Sequence, residues 1–369
     1  MPDTKNLHAA KRAKYDEFYT RYSDIEAEMG SYIEFNPEVF KGKTILLPCD
    51  DPDRSNFTKY FLDNFERFQL KRLISTSISA PEGERQLSLF SENFQWNTTE
   101  CEERGKMLIR TRDREWHRFL KGNGDFRSEE VREFRDEADV IITNPPFTLF
   151  GDFLEWTVSS KKQFSIIGSL CAVSYKNVFP LLKDNKMWFG NSIHSGDRKF
   201  NIPDSFHGHI DNTGVDKEGK YARVCVRWYT NIEHGGRRRE LKLETCAHNL
   251  QLNKKLKEKL LKCYGKAEFQ RYDNYDAIDV PFVECIPSDY DGMMGVPVSF
   301  MDKYNPDQFE IVWVAAGNTS AWAPKEVLEE MHYFKSSEDK GGCSMIQGKR
   351  TYNRIIIRKK GDKRNYGAC

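Results

Sequence analysis

The apolar positions of the chain alternate between short runs and stretches with helical spacing. "TILL" (Thr44 to Leu47) predicts a short buried strand, and "PCDDPDRSNFTKYFLDNFERF" passes through a polar turn into an amphipathic helix from about Ser55 to Phe68. Leu73 to Ile78 predicts a second strand, and Val140 to Thr143 a later one. "GNGDFRS" (Gly122 to Ser128) reads as a turn leading into a helix through Glu137. The pattern continues with a helix over Phe150 to Ser160, a strand over Phe164 to Ser169, a helix near Lys176 to Leu182 and a strand over Arg223 to Tyr229. Near the start, Lys14 to Met29 predicts an aromatic-rich lead into a short helix, with Ser23 and Glu26 at capping-box spacing. Ala80 to Asn123 is polar and irregular, with a hairpin expected from "FQWNTT" and "KMLIRT".

Strands that alternate with helices predict a mainly parallel sheet with helices on both faces, a doubly wound α/β domain. Such sheets bind ligands at the carboxyl ends of their strands. The polar corners "PCDDPDRSN", "GNGDFRS" and "TNPPF" are therefore expected along one edge. After about Gly236 the alternation fades into a stretch rich in Tyr, Asp, Pro and Gly, as expected for a loop-rich module or an appended lobe. There is no internal repeat and no low-complexity tract.

Composition narrows this picture little. The 369 residues are 38% hydrophobic and 31% charged, with no apolar run near the roughly 18 residues of a membrane span and no apolar signal core, so a cytoplasmic protein without a membrane partner is expected. The nine cysteines include no C-x-x-C pair, which predicts neither a disulfide framework nor a zinc site. "HGH" at His207 to His209 lacks a third ligand pattern and reads as a loop, so no metal is expected. Trp228 in "VRWYTN" is expected in the core. The net charge of +1 conceals basic clusters in the second half, among them "GGRRRELKL" with Arg237, Arg238 and Arg239, which permit a phosphate-binding surface.

The candidate chemistry lies in "ADVIITNPPFTLF", where a strand runs into Asn144, Pro145, Pro146 and Phe147. Each proline lacks an N–H and has φ fixed near −65°, so the pair makes a stiff corner. Asn144 offers an amide oxygen, Pro145 a backbone carbonyl and Phe147 a flat apolar ring. That set fits an amino group on an aromatic heterocycle such as adenine. The adenine N6 lone pair is delocalised into the ring, and two acceptors drawing on its protons favour a more tetrahedral, more nucleophilic nitrogen. Chance gives such a tetrapeptide in on the order of one chain in several hundred to a thousand of this length.

N-P-P-[FYW] after the fourth strand is similar to the signature of amino-group methyltransferases. The wider set of phrases resembles the EcoRI-type adenine-specific DNA methyltransferases: "KYDEFYTRYSDIE", "CDDPDRSNFTKYFLDNF", "GNGDFRSEE", "DVIITNPPFTLF", "YDNYDAIDV", "SDYDGMMGVPVSFMDKYNPDQFEI" and "YNRIIIRKK". These span nearly the whole chain, and "DYDGMMGVP" and "KYNPDQFEI" are the most particular to that family. The resemblance implies a Rossmann-like S-adenosylmethionine-dependent methyltransferase fold with an additional C-terminal family-specific region. Residues 1–40 would cover the cofactor, 41–235 would form the core with an insertion at about 80–123, and 236–369 would be the family-specific region, contacting DNA.

It also implies site-specific methylation of adenine N6 in double-stranded DNA, with the base flipped out. Asn144 and Pro145 would then bind the amino group, Phe147 would stack and Pro146 would hold the corner. Phe18, Tyr19 and Thr20 would cover the methionine end of S-adenosylmethionine. Asp50 and Asp51 would face its ammonium, Pro52, Ser55 and Asn56 would shape the first loop, and Asp125 and Phe126 would line the adenosyl pocket. The sequence departs from the pattern in two places: the first loop has no G-x-G, and the second strand ends "ISTSIS" where an acidic residue usually meets the ribose, leaving Thr76 or Ser77 for that role. RNA adenine, cytosine N4 and a protein glutamine also present an NH₂ to such a corner, and a DNA-binding relative without catalysis is a further alternative. A cognate restriction endonuclease in the same restriction-modification system, without a stable complex, is the expected partner.

Overall fold

A computed structural model describes residues 19–79, 103–194, 196–202 and 212–361. The predicted "FQWNTT" strand, Phe18 and the "HGH" stretch lie outside them. The chain divides into two compact units, one of residues 1–172 with 187–235, the other of 173–186 with 236–369.

The first unit runs β1 (Tyr19–Thr20), α1 (Tyr22–Phe35), β2 (Thr44–Leu47), α2 (Asn56–Asp63), β3 (Arg72–Thr76), β4 (Lys106–Thr111), β5 (Glu115–Phe119), α3 (Glu129–Glu137), β6 (Val140–Thr143), α4 (Phe150–Ser159), β7 (Gln163–Ser169), β8 (Trp188–Phe189), β9 (Arg198–Asn201), β10 (Thr213–Asp216), β11 (Gly219–Val224) and β12 (Val226–Thr230). Eight of these strands form one mixed sheet in the order β5-β4-β3-β2-β6-β7-β12-β8. The central four, β3, β2, β6 and β7, are parallel, and antiparallel strands flank them on both sides. β2 and β6 are buried at every residue, the pattern of parallel strands covered on both faces. On one face Ile45, Leu47, Val140, Ile142 and Trp228 join a core with Ile25, Met29 and Tyr32 of α1 and Phe57 and Phe61 of α2.

Four other strands form a small antiparallel sheet, β1-β9-β11-β10. The strand expected over Arg223 to Tyr229 is therefore two strands in two sheets, with Cys225 between them. A continuous apolar pattern does not reveal a change of partner. The capping box expected at Ser23 and Glu26 is also corrected. Both residues lie inside α1, whose N-cap is Arg21 without a side-chain cap. Arg21 is buried and donates through Nη1 and Nη2 to both oxygens of Asp216, each at 3.0 Å, so tertiary contacts fix where this helix begins. "KMLIRT" does form a hairpin strand, β4, and its described partners are β3 and β5.

The second unit carries α5 (Phe179–Lys183), α6 (Cys246–Leu252), α7 (Lys254–Tyr264), β13 (Gln270–Arg271), β14 (Ala277–Asp279), β15 (Met293–Pro297), β16 (Phe309–Ala315), α8 (Lys325–Glu330), β17 (Met345–Ile346), β18 (Lys349–Arg350) and β19 (Arg354–Lys359). It is built on a five-stranded sheet, β13-β14-β15-β19-β16. Arg354 on β19 donates to Asp279 Oδ1 at 2.7 Å and the Tyr272 hydroxyl donates to the same oxygen at 2.7 Å, so this buried ion pair is also hydrogen-bonded, as a desolvated pair requires. No helix among the described residues is long and apolar enough to cross a membrane.

Candidate active site

β2 and β6 are neighbours and parallel, so the loops that follow them leave the sheet at the same edge. After β2 the chain passes through Asp50 to Ser55, the N-cap of α2, whose hydroxyl accepts from Phe57 N at 3.0 Å. After β6 it enters the N-P-P-F corner, with Pro145 and Phe147 buried and Asn144 and Pro146 half-buried.

The two loops are joined through Asp50, which is only 4% exposed. Its Oδ1 accepts from Ser55 Oγ and its Oδ2 from Thr143 Oγ1, each at 2.6 Å. Its backbone is held as well, the N–H donating to Thr76 O at 2.9 Å and the carbonyl accepting from Ser75 Oγ at 2.7 Å. Burial raises the Asp50 carboxyl to about 7, and the Asp51 charge adds to the rise. The two hydroxyls oppose it by stabilising the carboxylate. Asp51 shapes the turn, accepting from Asp53 N at 2.8 Å and Arg54 N at 3.2 Å. Lys106, buried on β4, donates to Asp53 Oδ2 at 2.8 Å.

Three further segments meet this edge. Asn56 Nδ2 donates to Thr20 O at 2.8 Å, tying the first loop to β1. Thr20 Oγ1 and Ser77 Oγ are buried without a hydrogen-bond partner among the described residues. Thr76, the other residue expected to serve the ribose, donates instead to Pro48 O at 3.2 Å. The "GNGDF" turn packs on the end of β3 by backbone. Gly124 has φ +84°, and a Cβ there would stand 2.1 Å from Ser77 O, so the approach requires glycine. Just beyond, Asp125 is gripped by Arg127, with Nε at 2.9 Å and Nη2 at 2.6 Å, which lowers the carboxyl below its usual range. Phe126 is buried edge-to-face against Phe153 and Trp156 of α4. The helix after this turn is capped by Ser128, and neither Asp125 nor Asp50 is an N-cap.

Thus Thr20, Asp50, Asp51, Ser55, Asn56 and the corner are assembled around one edge of the sheet, with the Asp125 turn packed on the adjoining strand end. Arg237, Arg238 and Arg239 belong to the second unit. Arg237 is buried and hydrogen-bonds Asn185, Arg238 pairs with Asp307 at 2.6 Å, and Arg239 is exposed. Sequence reasoning missed Thr143 and Lys106. Thr143 adjoins the corner and reads as one more β-branched strand residue. Lys106 carries the stronger signal, a lysine directly before the buried apolar run Met107 to Ile109.

The chain matches the family described as the adenine-specific methyltransferase EcoRI over residues 6–360. It is 34% identical to the type II methyltransferase M.EcoRI of Escherichia coli, over 96% of this chain and 97% of that protein. It is 31% identical to the type II methyltransferase M.MpnI of Mycoplasma pneumoniae, over 96% and 98%. No solved structure matches it. With a family match over nearly the whole length and relatives above 30% identity, the chain belongs to the EcoRI family of adenine-specific methyltransferases.

Proposed function

We propose that the protein methylates the N6 amino group of an adenine turned out of double-stranded DNA at a specific sequence, using S-adenosylmethionine directly. The observation that carries this reading is the hydrogen bond from Thr143 to Asp50, which fixes the amine-binding corner beside the first loop. A donor held by one loop and an amine held by the other would meet at one strand edge.

The residues present suit the cofactor. Thr20 and Ser77 each hold a buried hydroxyl with no protein partner among the described residues, and Asp50 and Asp51 offer carboxylates for a cation. Thr20, with Tyr19 and Phe18, would cover the methionine end, and Asp50 and Asp51 would face the ammonium. Pro52, Ser55 and Asn56 would shape the loop, and Asp125 and Phe126 would line the adenosyl pocket. Ser77 would bond a ribose hydroxyl in place of the usual acidic residue. When bound, S-adenosylmethionine supplies an electrophilic methyl group on a sulfonium.

Asn144 Oδ1 and the Pro145 carbonyl would accept the two N6 protons. Being neutral, they orient the nitrogen and draw its lone pair out of conjugation without removing a proton beforehand. Pro146 limits how far this corner can bend, and the Phe147 ring offers a surface for the extruded base. The sheet of the first unit supports a Rossmann-like core over residues 41–235 with an insertion at about 80–123, preceded by a cofactor-covering segment over 1–40. Residues 236–369 would contact DNA, with Arg238 and Arg239 among the phosphate ligands. The reading includes a cytoplasmic enzyme, where its DNA lies, and a cognate restriction endonuclease that need not bind it stably.

The test is transfer of a labelled methyl group to DNA, RNA and protein, with methylation-sensitive sequencing of DNA from cells expressing the chain. Label in double-stranded DNA at one recurring sequence is expected. Label confined to RNA or protein would overturn the substrate.

A further inference from the structure

We infer that strand β9 is a relay between the cofactor site and the target base, with Phe200 as the positioning residue that carries it. The inference rests on the reading above, in which Thr20 touches the cofactor and Phe147 the base. β9 pairs with β1 in antiparallel register, Thr20 opposite Phe200 and Tyr19 opposite Asn201. The same stretch is fastened to the first loop by Asn56 and to β9 a second time by Arg21 Nε, which donates to Asn201 Oδ1 at 3.1 Å. On its other side Phe200, 1% exposed, meets Phe147 of the corner with ring centroids 6.2 Å apart and planes at 84°. A continuous set of contacts therefore runs from Asn56 through Thr20 and Phe200 to Phe147.

β1 has two residues, so few backbone bonds hold it against β9, and such a pairing is readily strengthened or loosened. A ligand group that bonds the buried Thr20 hydroxyl satisfies an otherwise unpaired polar atom and favours the paired arrangement. Residues opposite one another in a ladder move together, and an edge-to-face ring pair in a packed core has a restricted set of seats. Filling the cofactor site would then hold the Phe147 ring where the base must stack. The relay has an element that both sites bias, which coupling between them requires.

The test uses the full chain, a duplex carrying its own site with 2-aminopurine in place of the target adenine, and sinefungin as an unreactive cofactor analogue. With wild-type protein, sinefungin should increase the fluorescence that reports an unstacked base. Phe200→Leu should reduce that increment about fivefold or more, within the usual range of coupling, lower kcat and, because coupling is reciprocal, weaken sinefungin binding to the DNA complex by a like factor while its binding to the DNA-free protein stays near wild type. Phe200→Met serves as a second variant should the first not fold, as judged by thermal melting. Val224→Ala, a truncation elsewhere in the same sheet, should leave the increment intact. A wild-type increment in the Phe200 variants, or an equal loss in Val224→Ala, would overturn the relay. Wild-type protein that methylates no DNA would instead overturn the underlying function.

Discussion

Thr143, the last residue of one parallel strand, donates its hydroxyl to Asp50, in the loop after the neighbouring strand, at 2.6 Å and inside the protein. This bond makes two loops from distant parts of the sequence into one rigid edge. Thr143→Val keeps the shape and leaves a buried carboxylate oxygen without its donor, so it should destabilise the fold by about 1–3 kcal/mol in urea melts. Methyl transfer should fall with it, because Asn144 follows Thr143 directly. In an Asp50→Asn background the same change should behave differently. A purely additive double-mutant cycle would show that the two residues do not interact.

The Asp50 carboxyl also sets a pH dependence. Its value in the folded protein, about 7, lies above the ordinary 3.8, so between about pH 4 and pH 7 the folded chain holds a proton that the unfolded chain has lost. This group's contribution to stability is present below about pH 4 and is lost as pH rises through 7. Asp50→Asn should flatten that part of a stability-against-pH curve. If the ammonium of S-adenosylmethionine lies beside Asp50, cofactor binding near pH 7 should release a proton. Calorimetry in two buffers of different ionisation enthalpy measures it, and equal apparent heats would place the cation elsewhere.

Asn144→Ala should abolish or nearly abolish methyl transfer while cofactor and DNA binding are mostly kept, since phosphate contacts elsewhere supply most of the docking energy. Phe147→Leu should lose less, because stacking is worth about 1–3 kcal/mol per base. Full methylation by Asn144→Ala in a single-turnover assay would remove the corner from the active site.

Arg238 and Arg239 are the exposed members of their cluster. Changing both to Ala should weaken binding to all DNA sequences and reduce the slope of log affinity against log salt by about 1–2. Arg237→Ala should instead lower stability, because Arg237 is buried. A wild-type salt slope in the double variant would mark the pair as a solvated face.

The central strands were legible because their apolar runs are short and end in unmistakable punctuation, as where Val140 to Thr143 meets two prolines. Helix ends were less so. The pattern from Ser55 to Phe68 is helical only through Asp63, and the apolar residues beyond it fill the core from a turn. The sheet of the second unit leaves little trace in the sequence. Its strand Arg354–Lys359 has only three apolar residues set among basic ones, although Ile355, Ile356 and Ile357 are fully buried against partners some 40 or more positions away, such as Val314 and Val296. The site divides along the same line. The corner and first loop announce themselves by residue type, whereas the bond of Asp50 to Thr143 depends on which strands lie side by side.

One residue, Cys225, separates a strand of the small sheet from a strand of the large one. Val224 is in register with Arg198, and Val226 with Ser169. With so little slack, deleting Cys225 would force one of those pairings to slip by a residue, and a one-residue slip turns every side chain of a strand to its opposite face. The small sheet thus inherits its phase from the large one. The direction in which Phe200 faces is in this sense decided two strands away, by the alternation of Trp228 and its neighbours in the core.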